Sequence, residues 1–308
     1  MSIELRLSNV DPPATEPSRT IYRDIVNLPD PVKLGITIRY FNYDDVDLYF
    51  QITGSATGYT FGTVNLGLLA SGANAYINLD ELASRAKPSA GDLPNGEKEE
   101  NITLILKAYT DSGYTTLKWT FERVVTVHWI NSADAAFTVD ELDNFDDGTV
   151  QGWAQEVITN TYGTPSSGVT TSYALSAPYS VSESMSLTVG GSTFDHWKTG
   201  LYKSFTTPNK SKVYAIIDLR QQSPYAPPVY PKNLQVLNGS IPLIFLGRPY
   251  DNATSVYLTT GKWVRIVVPL PSNITLTLHV ISDVYVYIPG AGSAGYSLLL
   301  DDFKIISK

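Results

Sequence analysis

From Ile102 to Trp129 the sequence alternates apolar and polar residues with a period of two, which commits this stretch to extended strands. Ile102, Leu104, Leu106 and Ala108 share one parity. After the Asp111-Ser112-Gly113 turn, Leu117, Trp119, Phe121, Val125, Val127 and Trp129 share another, with Thr116, Lys118, Thr120 and Glu122 between them. The pattern predicts a long hairpin with one buried face. Helical periodicity is nearly missing: Leu79 to Ala86 allows one or two turns before Pro88. Leu34 to Phe41 and Val46 to Thr53 read as a further strand pair across Asn42-Tyr43-Asp44-Asp45. Met1 to Leu7 reads as a strand that Pro12, Pro13 and Pro17 confine to an edge. The chain is expected to be all-β.

Polar interruptions organise it. Arg85 to Glu100 holds two prolines, two glycines and Glu97-Lys98-Glu99-Glu100, and reads as a long solvated loop. Asn131-Ser132-Ala133-Asp134 ends the hairpin, and Asp140-Glu141-Leu142-Asp143 opens a new segment. Two domains follow, 1–138 and 139–308, which 308 residues can supply. A 43% hydrophobic and 17% charged composition is that of a globular chain. The formal net charge of -8 and the lack of a basic patch argue against nucleic acid and anionic membranes as partners. Cysteine is absent, which excludes disulfides, zinc–thiolate sites and cysteine nucleophiles. No apolar run is long enough to span a bilayer. The N-terminus lacks the apolar block of a signal peptide.

Two distant segments carry a family resemblance. Phe145-Asp146-Asp147-Gly148-Thr149-Val150-Gln151-Gly152-Trp153 reads as a strand end, an acidic turn and a tryptophan-anchored strand. Leu298-Leu299-Leu300-Asp301-Asp302-Phe303-Lys304-Ile305 is an apolar strand interrupted by two carboxylates. Together they resemble the opening and closing strands of the galactose-binding-like jelly roll, the fold of many carbohydrate-binding modules. Ser176-Ala177-Pro178-Tyr179-Ser180-Val181 and Gly261-Lys262-Trp263 add landmarks in the expected order. Tyr202 to Phe205 and Val213 to Arg220 sit where that family has its core strand pair. The likeness covers about 141–308. The first domain, with its short strands, resembles an immunoglobulin or fibronectin type III β-sandwich. What the likeness implies is a structural calcium tying the two ends of the jelly roll, with Asp146 and Asp301 as ligands and Asp143 beside them; the other reading is a solvated acidic turn. Calcium takes six to eight oxygen ligands. Adjacent strand residues point to opposite faces, so Asp301 and Asp302 do not readily aim at one ion.

Sugars are held by aromatic rings against their C–H faces and by planar amides or carboxylates on their hydroxyls. Candidates are Trp197 with Asp195 and His196 in a loop, and Tyr225 and Tyr230 in the proline-rich Ser223 to Pro231 segment, whose stiffness reduces the entropy lost on binding. Loop packing or a subunit contact is the competing reading. Trp153 and Trp263 read as core. His128 and His279 read as outward strand positions, and no carboxylate spacing singles out a glycosidase pair. Gly290 to Gly295 fits G-x-G-x-x-G but joins strand to strand, as a hairpin loop without the helix that phosphate binding needs. Sequons at Asn101, Asn209, Asn238, Asn252 and Asn273 favour an exported surface. The expectation is a non-enzymatic carbohydrate-binding protein of an extracellular, cell or virion surface, with a glycan or polysaccharide as partner. The rival is a structural subunit whose jelly roll contacts further copies of itself or other surface proteins.

Overall fold

A computed structural model of the chain describes the backbone of residues 3–7, 20–26, 28–32, 34, 36–145, 151–160, 170–175, 183–189, 194–222, 229–238, 241–246, 263–287 and 296–308. The chain divides into two compact units, 2–135 and 136–308. Both are β-sandwiches, and the protein is all-β apart from short helical turns.

The strands of the first unit are β1 (Ile3–Leu7), β2 (Thr20–Asp24), β3 (Ile36–Phe41), β4 (Leu48–Ser55), β5 (Tyr59–Phe61), β6 (Val64–Leu69), β7 (Asn74–Asn78), β8 (Ala83–Arg85), β9 (Glu97–Tyr109) and β10 (Leu117–Ile130), with one turn of helix, α1 (Leu79–Leu82). Among the described residues, sheets ordered β1-β3-β7 and β2-β10-β9-β4-β6 enclose one core. Ile36, Ile38 and Tyr40 meet Leu48, Phe50, Ile52, Leu104, Leu106 and the fully buried Trp129 there. The Tyr40 and Phe50 rings lie 5.5 Å apart across the layers. Each such side chain contributes roughly 1.5–3 kcal/mol on leaving water.

The expected hairpin is β9 and β10, paired antiparallel from Tyr109↔Leu117 to Glu97↔Ile130. Leu117 departs from its expected burial and is 51% exposed. It pairs with Tyr109 while Trp119 pairs with Ala108, so Lys118 is an extra residue. That bulge switches the parity of the strand. The segments expected to pair across Asn42 to Asp45 lie instead in different sheets. β3 pairs with β1 and β7, and β4 with β6 and β9. The buried Asn42 amide donates to the Val46 and Leu69 carbonyls at 2.9 and 2.8 Å, which carries the chain between layers rather than back along one.

Residues 97–100, expected in a solvated loop, begin β9. Glu100 is buried, and Arg85 donates to it through Nε and Nη2 at 2.8 and 2.5 Å, with Trp129 Nε1 at 2.9 Å. Burial opposes the charge, yet the Arg85 fork, Lys98 and the indole hold this carboxyl below its usual range. His128 takes the outward parity expected of it but is buried there. Its Nδ1 is 2.9 Å from Glu99 Oε1 and its Nε2 is 3.3 Å from Glu97 Oε1, and the Tyr22 ring packs 5.0 Å from it. Long neighbours roof an outward position.

The second unit contains β11 (Thr138–Asp143), β12 (Ala154–Asn160), β13 (Thr170–Leu175), β14 (Glu183–Val189), β15 (Phe194–Thr206), β16 (Val213–Gln222), β17 (Val229–Asn238), β18 (Ile241–Leu246), β19 (Trp263–Leu270), β20 (Thr275–Tyr287) and β21 (Tyr296–Ser307). One sheet runs β13-β14-β21-β16-β19, with β11 also on β21, and the other β12-β15-β20-β17-β18. Phe303 of the first sheet packs against Phe205 of the second at 5.8 Å and meets Trp153 edge-on at 5.1 Å. The opening strand β11 pairs antiparallel with the closing strand β21, from Thr138↔Ser307 to Asp143↔Phe303. Phe145 and Leu300 are both buried. β15 and β16, expected as a core pair, stand in different sheets. So do β20 and β21; residues 288–295, expected as a hairpin loop between them, lie outside the described residues.

The β9–β10 turn is fixed by Asp111. Its Oδ1 accepts from the Gly113 and Thr115 amides at 3.0 and 3.2 Å, and its Oδ2 from the Thr116 amide at 2.6 Å. The Thr116 amide above all, with the Thr115 amide and hydroxyl, holds the Asp111 carboxyl at about 2 against an ordinary 3.8. A lowered folded-state pKa stabilises the turn fully above pH 3.8, and that contribution is lost as pH falls through about 2. The Thr116 amide proton, followed by NMR, should titrate near pH 2; a midpoint near 3.8 would show the cap unformed.

Candidate functional site

The acidic residues that open and close the second unit meet cations supplied by the chain itself. Leu201, Lys203 and Phe205 share the buried parity of β15, which brings the Lys203 ammonium beneath β11. Its Nζ lies 2.5 Å from Glu141 Oε1 and 2.6 Å from Asp143 Oδ2. Trp153 Nε1 donates to the same Asp143 oxygen at 2.9 Å. Burial still raises the Asp143 carboxyl above its ordinary value, against the pull of Lys203 and the indole. The ammonium supplies the opposite charge and the indole a neutral hydrogen bond, which together offset the desolvation of this carboxylate.

The other end of the acidic set is held by Arg265 on β19. Its Nε and Nη2 grip Asp218 at 2.8 and 2.6 Å, and Nη2 also donates to Asp302 Oδ2 at 2.6 Å. Asp218 is fully buried, and burial raises its carboxyl despite that fork. Asp302 sits at φ 47°, where β21 gains a residue: Asp218 pairs with Asp301 and Ile216 with Lys304. Aspartate tolerates this left-handed conformation better than most residues. Asp301 is buried beside it, and its Oδ1 accepts the Asp302 amide at 2.8 Å.

These contacts bear on the calcium that the family resemblance implies. Asp143 Oδ2 is taken by the Lys203 ammonium and the Trp153 indole N–H, so that oxygen already has its positive partner within the chain. Asp146 lies outside the described residues. Among the described residues no group of three or more His, Cys, Asp or Glu side chains is arranged to hold a metal.

The sugar-binding candidates fall on a sheet face rather than in a loop. Asp195, His196 and Trp197 are inside β15, whose pairing with β20 runs without a register shift from Phe194↔Tyr287 to Thr206↔Thr275. Register puts His196 opposite Tyr285 and Tyr285 opposite Tyr230. Trp197 stands in the next row, opposite Val284 and Asn160, and Asp195 opposite Val286. Positions two apart share a face, so Trp197 and Asp195 have the parity of buried Leu201, while His196 has that of half-buried Tyr202. Tyr225 lies outside the described residues. Tyr202 pairs with His279, their rings stacked at 5.8 Å and 27°. Tyr202, His279 and Tyr285 were missed in the sequence reading; parity counted back from Phe205 was the signal available.

No protein-family model matches the chain, and no curated protein sequence matches it. Solved structures resemble it distantly. A structure described as showing the promiscuous specificity of carbohydrate-binding modules from the β-sandwich superfamily is 14% identical, covers 85% of this chain and 86% of its own, and gives a TM-score of 0.37. The CBM22-1 xylan-binding domain of Paenibacillus barcinonensis Xyn10C is 17% identical over 55% of this chain and 93% of its own, with a TM-score of 0.31. The K1 cleaved adhesin domain of Lys-gingipain from Porphyromonas gingivalis W83 is 13% identical over 56% and 99%, with a TM-score of 0.33.

Lys203→Met strands two carboxylates near the core and should destabilise the second unit by about 3 kcal/mol or more, read as a lowered melting transition. Adding Asp143→Asn should restore part of that loss. A Lys203→Met protein that melts as the wild type would show the ammonium is not the tie.

Proposed function

We propose that the chain is a non-catalytic carbohydrate-recognition protein whose 136–308 unit carries the recognition face. One observation supports this reading most. His196, Tyr285 and Tyr230 occupy one cross-strand row, and Tyr202 and His279 occupy another on the same parity. The rows are six positions apart on β15, about 20 Å along the strand. Gly200 and the Lys198↔Asp283 pair lie between them. Rings offer apolar faces to sugar C–H groups, while phenol and imidazole edges offer hydrogen bonds. A platform of this length suits a chain of several sugars better than a single one. Strands already fixed by pairing lose little further freedom on binding.

The non-catalytic part of the reading rests on commitment of the buried acids. Asp143, Asp218 and Glu100 are each locked to a lysine or arginine, which leaves none of them poised as the acid or nucleophile of glycoside cleavage. A setting on a cell or particle surface belongs to the same proposal and accords with the five sequons.

The test is retention on immobilised polysaccharides. His196→Ala with Tyr230→Ala should weaken binding by about 1–3 kcal/mol, the range for stacking on an aromatic ring. Isothermal titration with the retained polysaccharide measures it. Wild-type affinity in the double variant moves recognition off this face.

A further inference from the structure

The β9–β10 turn holds Tyr114 at φ 55°, a left-handed conformation that bulky side chains rarely adopt and that clusters at functional sites. The Asp111 carboxylate, gathering amides on both sides of Tyr114, maintains it. The result is a ring folded back over the outward face of the sheet. It meets Tyr49 at 6.1 Å and Tyr109 at 5.5 Å, edge-on to both. Its hydroxyl accepts the Gly67 amide at 3.2 Å, and Gly67 itself takes φ 81° at a bulge in β6.

Beneath that ring, Leu68, Tyr49, Tyr109 and Leu117 form one cross-strand row over four neighbouring strands. The row spans three strand spacings, about 14 Å. Its two ends, Leu68 and Leu117, are 54% and 51% exposed. Two amides flank the rings in fixed planes. Gln51 Oε1 accepts from the Tyr109 hydroxyl at 3.3 Å, and Gln51 Nε2 donates to Asn65 Oδ1 at 2.8 Å. Among the described residues, the Tyr49 hydroxyl, the Tyr114 hydroxyl hydrogen and the exposed Asn65 amide nitrogen donate to nothing. All seven of these side chains are uncharged, and Lys107 stands opposite Gln51 at the edge of the strip.

Leucines and tyrosines alone would suit a protein contact. Oriented amides and open hydroxyl donors beside the rings select a neutral ligand that has both apolar faces and many hydroxyls. We infer that the 2–135 unit carries its own carbohydrate-binding strip, with Tyr49 and Tyr114 as the stacking platform and Gln51 and Asn65 gripping hydroxyls. The strip is independent of the face proposed for 136–308. Two sites on one chain raise retention on a polymer through avidity.

The experiment is native electrophoresis of the full chain through gels containing soluble β-glucan, mannan, xylan or galactan, beside thermal melting. Tyr114→Gly should weaken retardation in at least one gel tenfold or more; glycine accepts φ 55° without strain, which offsets part of the loss of the Tyr49, Tyr109 and Gly67 contacts. Asn65→Ala, on an exposed residue, should weaken it as well; if Tyr114→Gly melts lower, Asn65→Ala decides. Unchanged retardation in Asn65→Ala and Tyr114→Gly overturns the inference. Retardation that survives His196→Ala with Tyr230→Ala but falls in Asn65→Ala keeps the strip and discards the other face; the opposite pattern discards the strip. A wild-type protein that no polysaccharide retards also overturns it. In that case a dimer in sedimentation that Tyr114→Gly abolishes assigns the row to a protein partner.

Discussion

Carboxylates inside a β-sandwich need cations or hydrogen-bond donors to offset their desolvation, and that requirement organises the second unit. Pairing of β11 with β21 brings its two ends together. It also draws Glu141 and Asp143 in from solvent. Lys203 Nζ, within 2.6 Å of both, makes that closure affordable. Arg265 does the same for Asp218 and Asp302 on the far side of β21. The first unit repeats the solution with Arg85 and Glu100. Each pair joins residues from different strands, so the charges select register as well as offsetting desolvation.

The apolar framework was legible because alternation survives in the strands that carry it. Ile102, Leu104, Leu106, Val125, Val127 and Trp129 are buried as their parity requires. What escaped was every place where the count of two breaks. Lys118 is one extra residue, and it turns Leu117 outward. The bulge at Asp302 is another, and it lets two adjacent aspartates serve different neighbours. A single inserted residue leaves no trace in composition, only in pairing, and pairing is a long-range property. The fate of Leu34 to Phe41 was hidden for a similar reason: whether a turn folds back or crosses between layers is decided by Asn42 reaching Leu69, a partner 27 positions away.

The candidate site divides along the same line. Acidic residues near both ends of the second unit were visible, and so was their convergence. Their partners were not, since Lys203 stands 60 positions from Asp143 and 47 positions separate Arg265 from Asp218. His196 was named as a neighbour of Trp197, and Tyr230 for its stiff proline-rich segment. Their common row through Tyr285 is set by β20, which lies between their strands and follows both in sequence. The Tyr49, Tyr109 and Tyr114 cluster gave no local signal, because a tyrosine at positive φ looks like any other tyrosine in a turn.

A side-chain ammonium differs from a bound ion in one respect that matters for how such a domain behaves over time. Lys203 is covalently tethered, so the cation between Glu141 and Asp143 has no dissociation equilibrium and no competitor among solution ions. Its local concentration is fixed by the backbone of β15. The clasp at that point is therefore inherited with the polypeptide at synthesis.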